Sequence, residues 1–277
     1  MEIKRRYPVA LTIAGSDSGG GAGIQADIKT FSALGVYGSS VITAITAQNT
    51  QEVRAVEVLP ISIIQKQVEA VFEDIQVNAV KTGMLPTPEI IELIASLFDR
   101  YKVKNIVVDP VLVATTGAQL SSTDTIEFFK KKLFKRAKLI TPNIPEAEAL
   151  TGIKIKNASD MLEAANIMLN SGCRAVLIKG GHLESNCSTD ILYRQKKDPV
   201  LYFAEKIRTN NVHGTGCTLS SAITSYIALG KNLEQAIKLS KNYVSKAIHY
   251  GSYIKLGKGN GPINHFFAPE NLKIIDK

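Results

Sequence analysis

The chain has no tryptophan, four methionines and three cysteines among 277 residues. The missing tryptophan excludes nothing. Cys173, Cys187 and Cys217 are odd in number and show neither metal-ligand nor redox spacing, so a reducing, cytoplasmic compartment is expected. No apolar run approaches the roughly 20 residues that span a bilayer, and no membrane partner is expected. Residues 1–6 before the apolar run 9–14 imitate a secretory leader. That run is short and leads into Asp17 and a glycine loop rather than a cleavage site, so no leader is expected. There is no low-complexity linker, charge-run boundary or internal repeat, and residues 1–277 are read as one domain.

What is present is an ordinary globular balance, 45% hydrophobic and 21% charged, with ample material for a core. The formal net charge is +8. Nucleic acid, polyphosphate substrates and plain solubility all fit such an excess. The densest basic cluster, Lys130, Lys131, Lys132, Lys135, Arg136 and Lys138, surrounds a helix whose apolar face is Ile126, Phe129 and Leu133. It reads as a solvated face. Aromatics do not interleave with it, so no nucleic-acid partner is expected.

Hydrophobic patterning predicts strands over 7–14, 36–46, 53–59, 79–81, 105–109, 139–141 and 175–179, and an antiparallel edge from 191–193 and 200–203. Helices are predicted over 24–34, 63–75, 88–101, 123–134, 145–150, 159–170, 217–229 and 232–249. Most strands are apolar throughout and alternate with helices. That argues an α/β fold with a mainly parallel sheet covered on both faces, its ligands beyond the carboxyl ends of the strands. The polar and glycine-rich segments 15–23, 48–50, 109–117, 141–146 and 179–182 fall there. Segments 15–23 and 109–121 are rich in small polar residues and are the candidate lids.

The stretch from Asn210 to Ser220 carries the chemistry. It passes Gly214 and Gly216 and enters a helix whose apolar face is Ala222, Ile223, Tyr226 and Ile227. Glycines that turn backbone N–H groups toward one point, at the positive end of a helix, make an anion site. An ordinary capped loop is the plainer alternative.

The first glycine loop imitates two nucleotide motifs and satisfies neither. Gly21-Ala22-Gly23-Ile24-Gln25-Ala26 fits GxGxxA, but the next strand, 42–48, ends without the acid that holds a ribose. Gly15 to Gly20 has Walker A spacing, but Gly21-Ala22 replaces Lys-Ser/Thr. The loop opened by Gly15 therefore approaches or closes over a small ligand. In Thr141-Pro142-Asn143-Ile144-Pro145-Glu146, Asn143 and Glu146 either form a capping pair or hold Mg²⁺ beside a nucleotide phosphate. Asp109 ends a strand on the same edge and is a candidate to orient the metal or phosphate. Lys179 ends a later strand, either as a salt-bridge partner or to neutralise phosphate.

These segments, together with Leu11 to Asp27, Ala47-Gln48-Asn49-Thr50, Lys81-Thr82-Gly83-Met84-Leu85, Lys179-Gly180-Gly181-His182 and His213 to Ser220, run in order over nearly the whole chain. As an ordered set they resemble the hydroxymethylpyrimidine/phosphomethylpyrimidine kinases of thiamine biosynthesis, of the ribokinase-like superfamily. The resemblance implies a three-layer αβα fold around a roughly nine-stranded, mostly parallel sheet, ATP with Mg²⁺, and a homodimer. It implies that Gln48 hydrogen-bonds an aminopyrimidine, that Met84 packs near that ring, and that Asp27 and Lys258 lie near the site. It also implies that the backbone of Gly214, Thr215, Gly216 and Cys217 receives the moving phosphoryl group, with Thr215 on the nucleotide side. Many superfamily members carry Asp where this chain has Cys217. A helix N-terminus is expected to lower that thiol's pKa and let it act as a base. Alternatively a neutral thiol admits both an alcohol and an already dianionic phosphate monoester, which an Asp would repel. A pyridoxal kinase and a non-catalytic pyrimidine sensor are the other readings left open.

Overall fold

The structure, a computed structural model, describes residues 5–112, 123–180 and 187–276. Among these the strands are β1 (Arg5–Arg6), β2 (Val9–Asp17), β3 (Tyr37–Gln48), β4 (Val53–Val58), β5 (Ala79–Thr82), β6 (Ile106–Val108), β7 (Leu139–Ile140), β8 (Ala175–Lys179), β9 (Cys187–Arg194), β10 (Lys197–Glu205) and β11 (Ile275–Asp276). The helices are α1 (Gly23–Ala33), α2 (Ile61–Asp74), α3 (Pro88–Arg100), α4 (Thr123–Leu133), α5 (Ile144–Thr151), α6 (Ala158–Asn170), α7 (Thr215–Ala228) and α8 (Leu233–Gly251). None of them is long and apolar enough to cross a membrane.

Nine strands form one sheet in the order β10-β9-β8-β7-β6-β5-β2-β3-β4, while β1 and β11 pair separately. The six central strands are parallel; β4 pairs antiparallel with β3, and β9 antiparallel with both β8 and β10. Successive strand residues point to opposite faces, so the sheet feeds two cores. Leu11, Val80, Val108, Ile140 and Val176 pack with residues of α2 to α6 on one side. Ala10, Ala79, Val107, Leu139 and Leu177 pack with α1, α7 and α8 on the other. This is the expected three-layer α/β architecture with a mostly parallel sheet.

The chain leaves β2 toward β3 on one side and returns through β5 on the other. The strand order therefore reverses at β2, and the crevice beyond the carboxyl ends of β2 and β5 is where such sheets bind ligands. There β2 runs three residues past its expected end. After a bulge, Ser16 and Asp17 pair with Ile45 and Thr46 of β3. The candidate lid at 15–23 shrinks accordingly. Asp17 accepts the N–H groups of Gly19, Gly21 and Ala22, which pins what remains. Most of the other candidate lid, 113–121, lies outside the described residues, as do Gly181 and His182.

Local chemistry explains four of the eight described helix starts. Thr87 caps α3 with Pro88 next to it, Asn157 caps α6, and α5 and α8 open on capping boxes, Asn143/Glu146 and Asn232/Gln235. Helix α7 opens on Gly214 at φ 79 with no side-chain cap, so its first N–H donors stay uncommitted to side chains. The basic cluster on and after α4 is a charged surface. Lys130 pairs with Glu127, Lys132 with Glu92 and Arg136 with Asp99.

After α8 the chain returns to the site as a strap over 252–262. The Asn211 carboxamide donates to the carbonyls of Gly251 (2.7 Å) and Ile254 (2.6 Å). Further on, the Gly259 and Asn260 N–H groups donate to Thr50, and the Gly261 carbonyl accepts from His213 N–H. Asn211→Ala is expected to cost about 1–3 kcal/mol, because it removes the donor that links the Gly251 and Ile254 carbonyls. Denaturant unfolding checks the stability, and limited proteolysis should show earlier cleavage within 252–262.

Candidate active site

The start of α7 meets two groups of side chains. On the β6–β8 side, Lys179 at the end of β8 sends Nζ to within 3.1 Å of Asp109 Oδ1 and 3.7 Å of Glu146 Oε2. A Cβ added to Gly216 would lie 3.3 Å from the same Nζ, so the ammonium stands directly against the first turn of α7. Asp109 also accepts from Thr141 Oγ1 (3.1 Å) and Ser220 Oγ (3.0 Å). Asn143 and Glu146 exchange side-chain and backbone hydrogen bonds of 2.7 and 2.8 Å, the capping pair read from their spacing. Glu146 is thereby aimed at Lys179 while it caps α5.

The charges here are strongly conditioned. Burial pushes the Asp109 carboxyl upward, but Lys179 and Lys81 outweigh it and hold it below the usual carboxylate range. Burial works against the Lys179 ammonium too, yet Asp109 and Glu146 keep it charged with a raised pKa. Glu146 is pushed up to about 7, first by burial and then by repulsion from Asp109, against the pull of Lys179.

On the β2–β3–β5 side stand the predicted acceptor residues. Gly15 and Met84 adjoin; a Cβ on Gly15 would lie 3.2 Å from the Met84 sulfur. Gln48, at the end of β3, lies 3.4 Å from His213 Nε2 and 3.2 Å from Thr46 Oγ1. Gly214 closes the distance between the sides: a Cβ there would strike the Gly21 carbonyl at 1.8 Å. The segment 213–217 therefore meets the first glycine loop and Lys179 with its backbone and Gln48 with the His213 ring. Lys258 is exposed between Gly257 and Gly259, both packed on Thr50. It lines, with Arg208 and Lys255, a cleft of about 660 Å³ between 208–211 and 252–259.

Two expectations change. Asp27 does not face the acceptor crevice. It is fully buried in α1, where its carboxylate accepts from Thr12 (2.6 Å), Ser221 (2.5 Å) and the equally buried Lys81 (2.8 and 2.9 Å). With every oxygen engaged, it supports the floor rather than a ligand. Nor is Cys217 an acidified thiol. Burial pushes it up to about 11; Lys81 pulls the other way, while Asp27 and Asp109 add to the rise. Desolvation outweighs the pull of Lys81, so the pKa of this partly buried thiol stays above 7.

Asp17, His213, Ser220, Ser221 and Lys81 received no role from the sequence. His213 Nε2 lies 3.0 Å from Asp17 Oδ2, tying the α7 entry to the first glycine loop. Asp17 and His213 stood inside quoted motifs, and Lys81 opened another. Their pairing across 196 and 54 residues left no local periodicity to find.

Residues 17–264 match the family model described as phosphomethylpyrimidine kinase. The chain is 48% identical over 259 residues to the hydroxymethylpyrimidine/phosphomethylpyrimidine kinase of Rhizobium meliloti, covering 93% of this chain and 97% of that one. It is 48% identical over 275 residues to a thiamine biosynthesis bifunctional protein of Geobacter sulfurreducens, covering 98% of this chain but 56% of that protein. The chain thus spans about half the length of that relative and of similar bifunctional proteins from rice and Arabidopsis thaliana. Among solved structures, the pyridoxal kinase of Staphylococcus aureus in complex with AMP-PCP and pyridoxal superposes with a TM-score of 0.87 at 33% identity, over 98% of this chain and 100% of that one.

Two outcomes follow from the charges. Lys81→Met leaves Asp27 buried without its cation and is expected to cost about 3–5 kcal/mol in denaturant unfolding. The folded pKa of Glu146 lies above its ordinary value of 4.5, so the folded state binds the extra proton between about 4.5 and 7. Its contribution to stability is complete below that window and is lost as pH rises through 7. In the ligand-free protein, Glu146→Gln should therefore gain in melting temperature over the parent at pH 8, and the gap should close by pH 5.

Proposed function

The chain belongs to the phosphomethylpyrimidine kinase family, and from that premise we propose that it transfers phosphoryl groups from ATP in two steps. The first acceptor is the hydroxymethyl group of 4-amino-5-hydroxymethyl-2-methylpyrimidine, and the second is the resulting monophosphate, giving the diphosphate used in thiamine synthesis. One observation carries this reading. The uncapped start of α7 stands against a charged lysine, and the His213 ring just before it reaches Gln48.

In this reading the crevice between Gly15, Gln48 and Met84 takes the pyrimidine ring. The N–H groups of Gly214 to Cys217 receive the moving phosphoryl group, with Thr215 toward the nucleotide. Lys179 offsets the charge on the transferring oxygens. Phosphoryl transfer has a loose transition state, so positioning and charge neutralisation supply most of the rate. The rest of the nucleotide extends toward the cleft lined by Arg208, Lys255 and Lys258.

Among the described residues no three His, Cys, Asp or Glu groups form a metal cage. Mg²⁺ fits this donor set, because it is usually held by one or two carboxylates together with the substrate's phosphates. Asp109 and Glu146, with Asn143 behind Glu146, would hold it. It would supply positive charge to the polyphosphate, which two carboxylates beside a single lysine would otherwise repel.

The protonated Cys217 does not serve as a resting base. Its value is neutrality: it adds no negative charge against a monophosphate acceptor, whose second pKa is about 6. We further propose a homodimer, supported by the exposed Ile45, Val56, Val58, Ile61 and Ile63 on and beside edge strand β4. A cytoplasmic location is supported by an odd number of cysteines with neither metal-ligand nor redox spacing.

Product analysis with ATP, Mg²⁺ and hydroxymethylpyrimidine should show the monophosphate and then the diphosphate. Faster turnover of pyridoxal than of the pyrimidine would overturn the assignment. Lys179→Met is expected to lower kcat by about 10²- to 10³-fold, as loss of one charge-stabilising donor does elsewhere. Cys217→Asp should slow the second phosphorylation more than the first; equal survival of both steps removes the neutrality argument.

A further inference from the structure

The oxygen and nitrogen of a carboxamide are alike in shape, and the hydrogens around them decide which is which. At Gln48 the nitrogen is placed 3.4 Å from His213 Nε2 and the oxygen 3.2 Å from Thr46 Oγ1. The neighbours supply a complete proton inventory. Asp17 accepts N–H groups from Gly19, Gly21 and Ala22, and His213 Nε2 lies 3.0 Å from its Oδ2. An acceptor so surrounded by donors is an ionised carboxylate, so Nε2 carries a hydrogen whether the imidazole is neutral or charged. Toward Gln48 that nitrogen is then a donor only.

Thr46 leads to the same result. Its hydroxyl has one hydrogen and lies 3.0 Å from the Ser16 carbonyl, which can only accept. With the hydrogen there, Thr46 Oγ1 faces Gln48 as an acceptor. Turned by 180°, the amide donates to Thr46 Oγ1 and brings its oxygen, rather than a second N–H group, against the His213 Nε2–H.

We infer that His213 and Thr46 are positioning residues that hold the Gln48 amide with its oxygen toward His213 and its NH₂ toward Thr46. Through that amide they select the edge of the acceptor ring. A lone pair of the amide oxygen and the second N–H hydrogen remain for a ligand. That pair complements an amino group next to a ring nitrogen, as glutamine pairs with the amino and ring-nitrogen edge of adenine. A pinned amide accepts this edge in one direction only, and the direction decides which ring substituent faces the start of α7. The inference rests on the proposed reading for the ring's identity, but the amide's orientation does not.

Two measurements separate the parts. In the free protein, a ¹⁵N-edited NOE spectrum should connect the Gln48 side-chain NH₂ to the Thr46 methyl group. Connection to the His213 ring instead overturns the orientation, whatever the enzyme phosphorylates. In kinetics, 4-amino-5-hydroxymethyl-2-methylpyrimidine is compared with the same compound lacking its amino group. The parent enzyme should favour the amino compound by about tenfold in kcat/KM, the scale of one hydrogen bond. In His213→Phe, and independently in the near-isosteric Thr46→Val, this preference should fall toward one, with the change carried by KM more than kcat. A preference unchanged in either folded variant overturns the positioning role. An equal loss on both compounds does the same, since that is what general damage produces. If the parent phosphorylates neither compound while the NOE is as expected, the proposed reading fails and the orientation stands.

Discussion

Three carboxylates hold the beginning of α7 against the sheet, and the site exists because they do. Asp17, at the end of β2, grips His213 just before the helix. Asp27, from α1, takes Ser221, and Asp109, after β6, takes Ser220. Each is buried. A lone carboxylate in such a place costs several kcal/mol, so each needs a full set of donors. Lys81 and Lys179 supply the cations, and hydroxyls and backbone N–H groups fill the remaining positions. The result behaves as one network, in which loss of a member strands the others.

This network explains the unusual composition of α7. Ser220, Ser221, Thr224 and Ser225 are all buried, where a helix facing a core would ordinarily carry leucine or isoleucine. Two of the serines exist to meet carboxylates. Thr224 and Ser225 return their hydroxyls to the helix backbone at Ser220 and Ser221. Small side chains also let the helix approach closely enough for Gly214 to pass against Gly21. Burial, with Asp27 and Asp109 adding to it, keeps the pKa of the Cys217 thiol high. Of the two sequence readings of Cys217, an acidified base and a neutral thiol, these neighbours favour the neutral thiol.

The strand and helix pattern was largely legible because it is local. Apolar runs such as 175–179 and capping pairs such as Asn143/Glu146 state their conformation within a few residues. The extension of β2 through Asp17 was not legible. Gly15 and Ser16 carry turn propensity, and only pairing with β3 across a bulge overrides it. The site was legible in part for a similar reason. Gly214, Lys179, Gln48 and Met84 belong to strand ends and glycine turns that announce themselves. Asp27 was placed with them by resemblance, yet its orientation depends on Lys81, 54 residues away.

The amino-acid order by itself determined the alternation of strands and helices, the glycine turns at the strand ends, and the family pattern that names the chemistry. These depend on φ/ψ preference, periodicity and spacing, all of which act over short stretches of chain. Tertiary structure alone decided which carboxylate meets which cation, why Cys217 keeps its proton, and which way Gln48 presents its amide. Those outcomes depend on desolvation and on distances between residues remote in the chain, and neither quantity exists until the chain has folded.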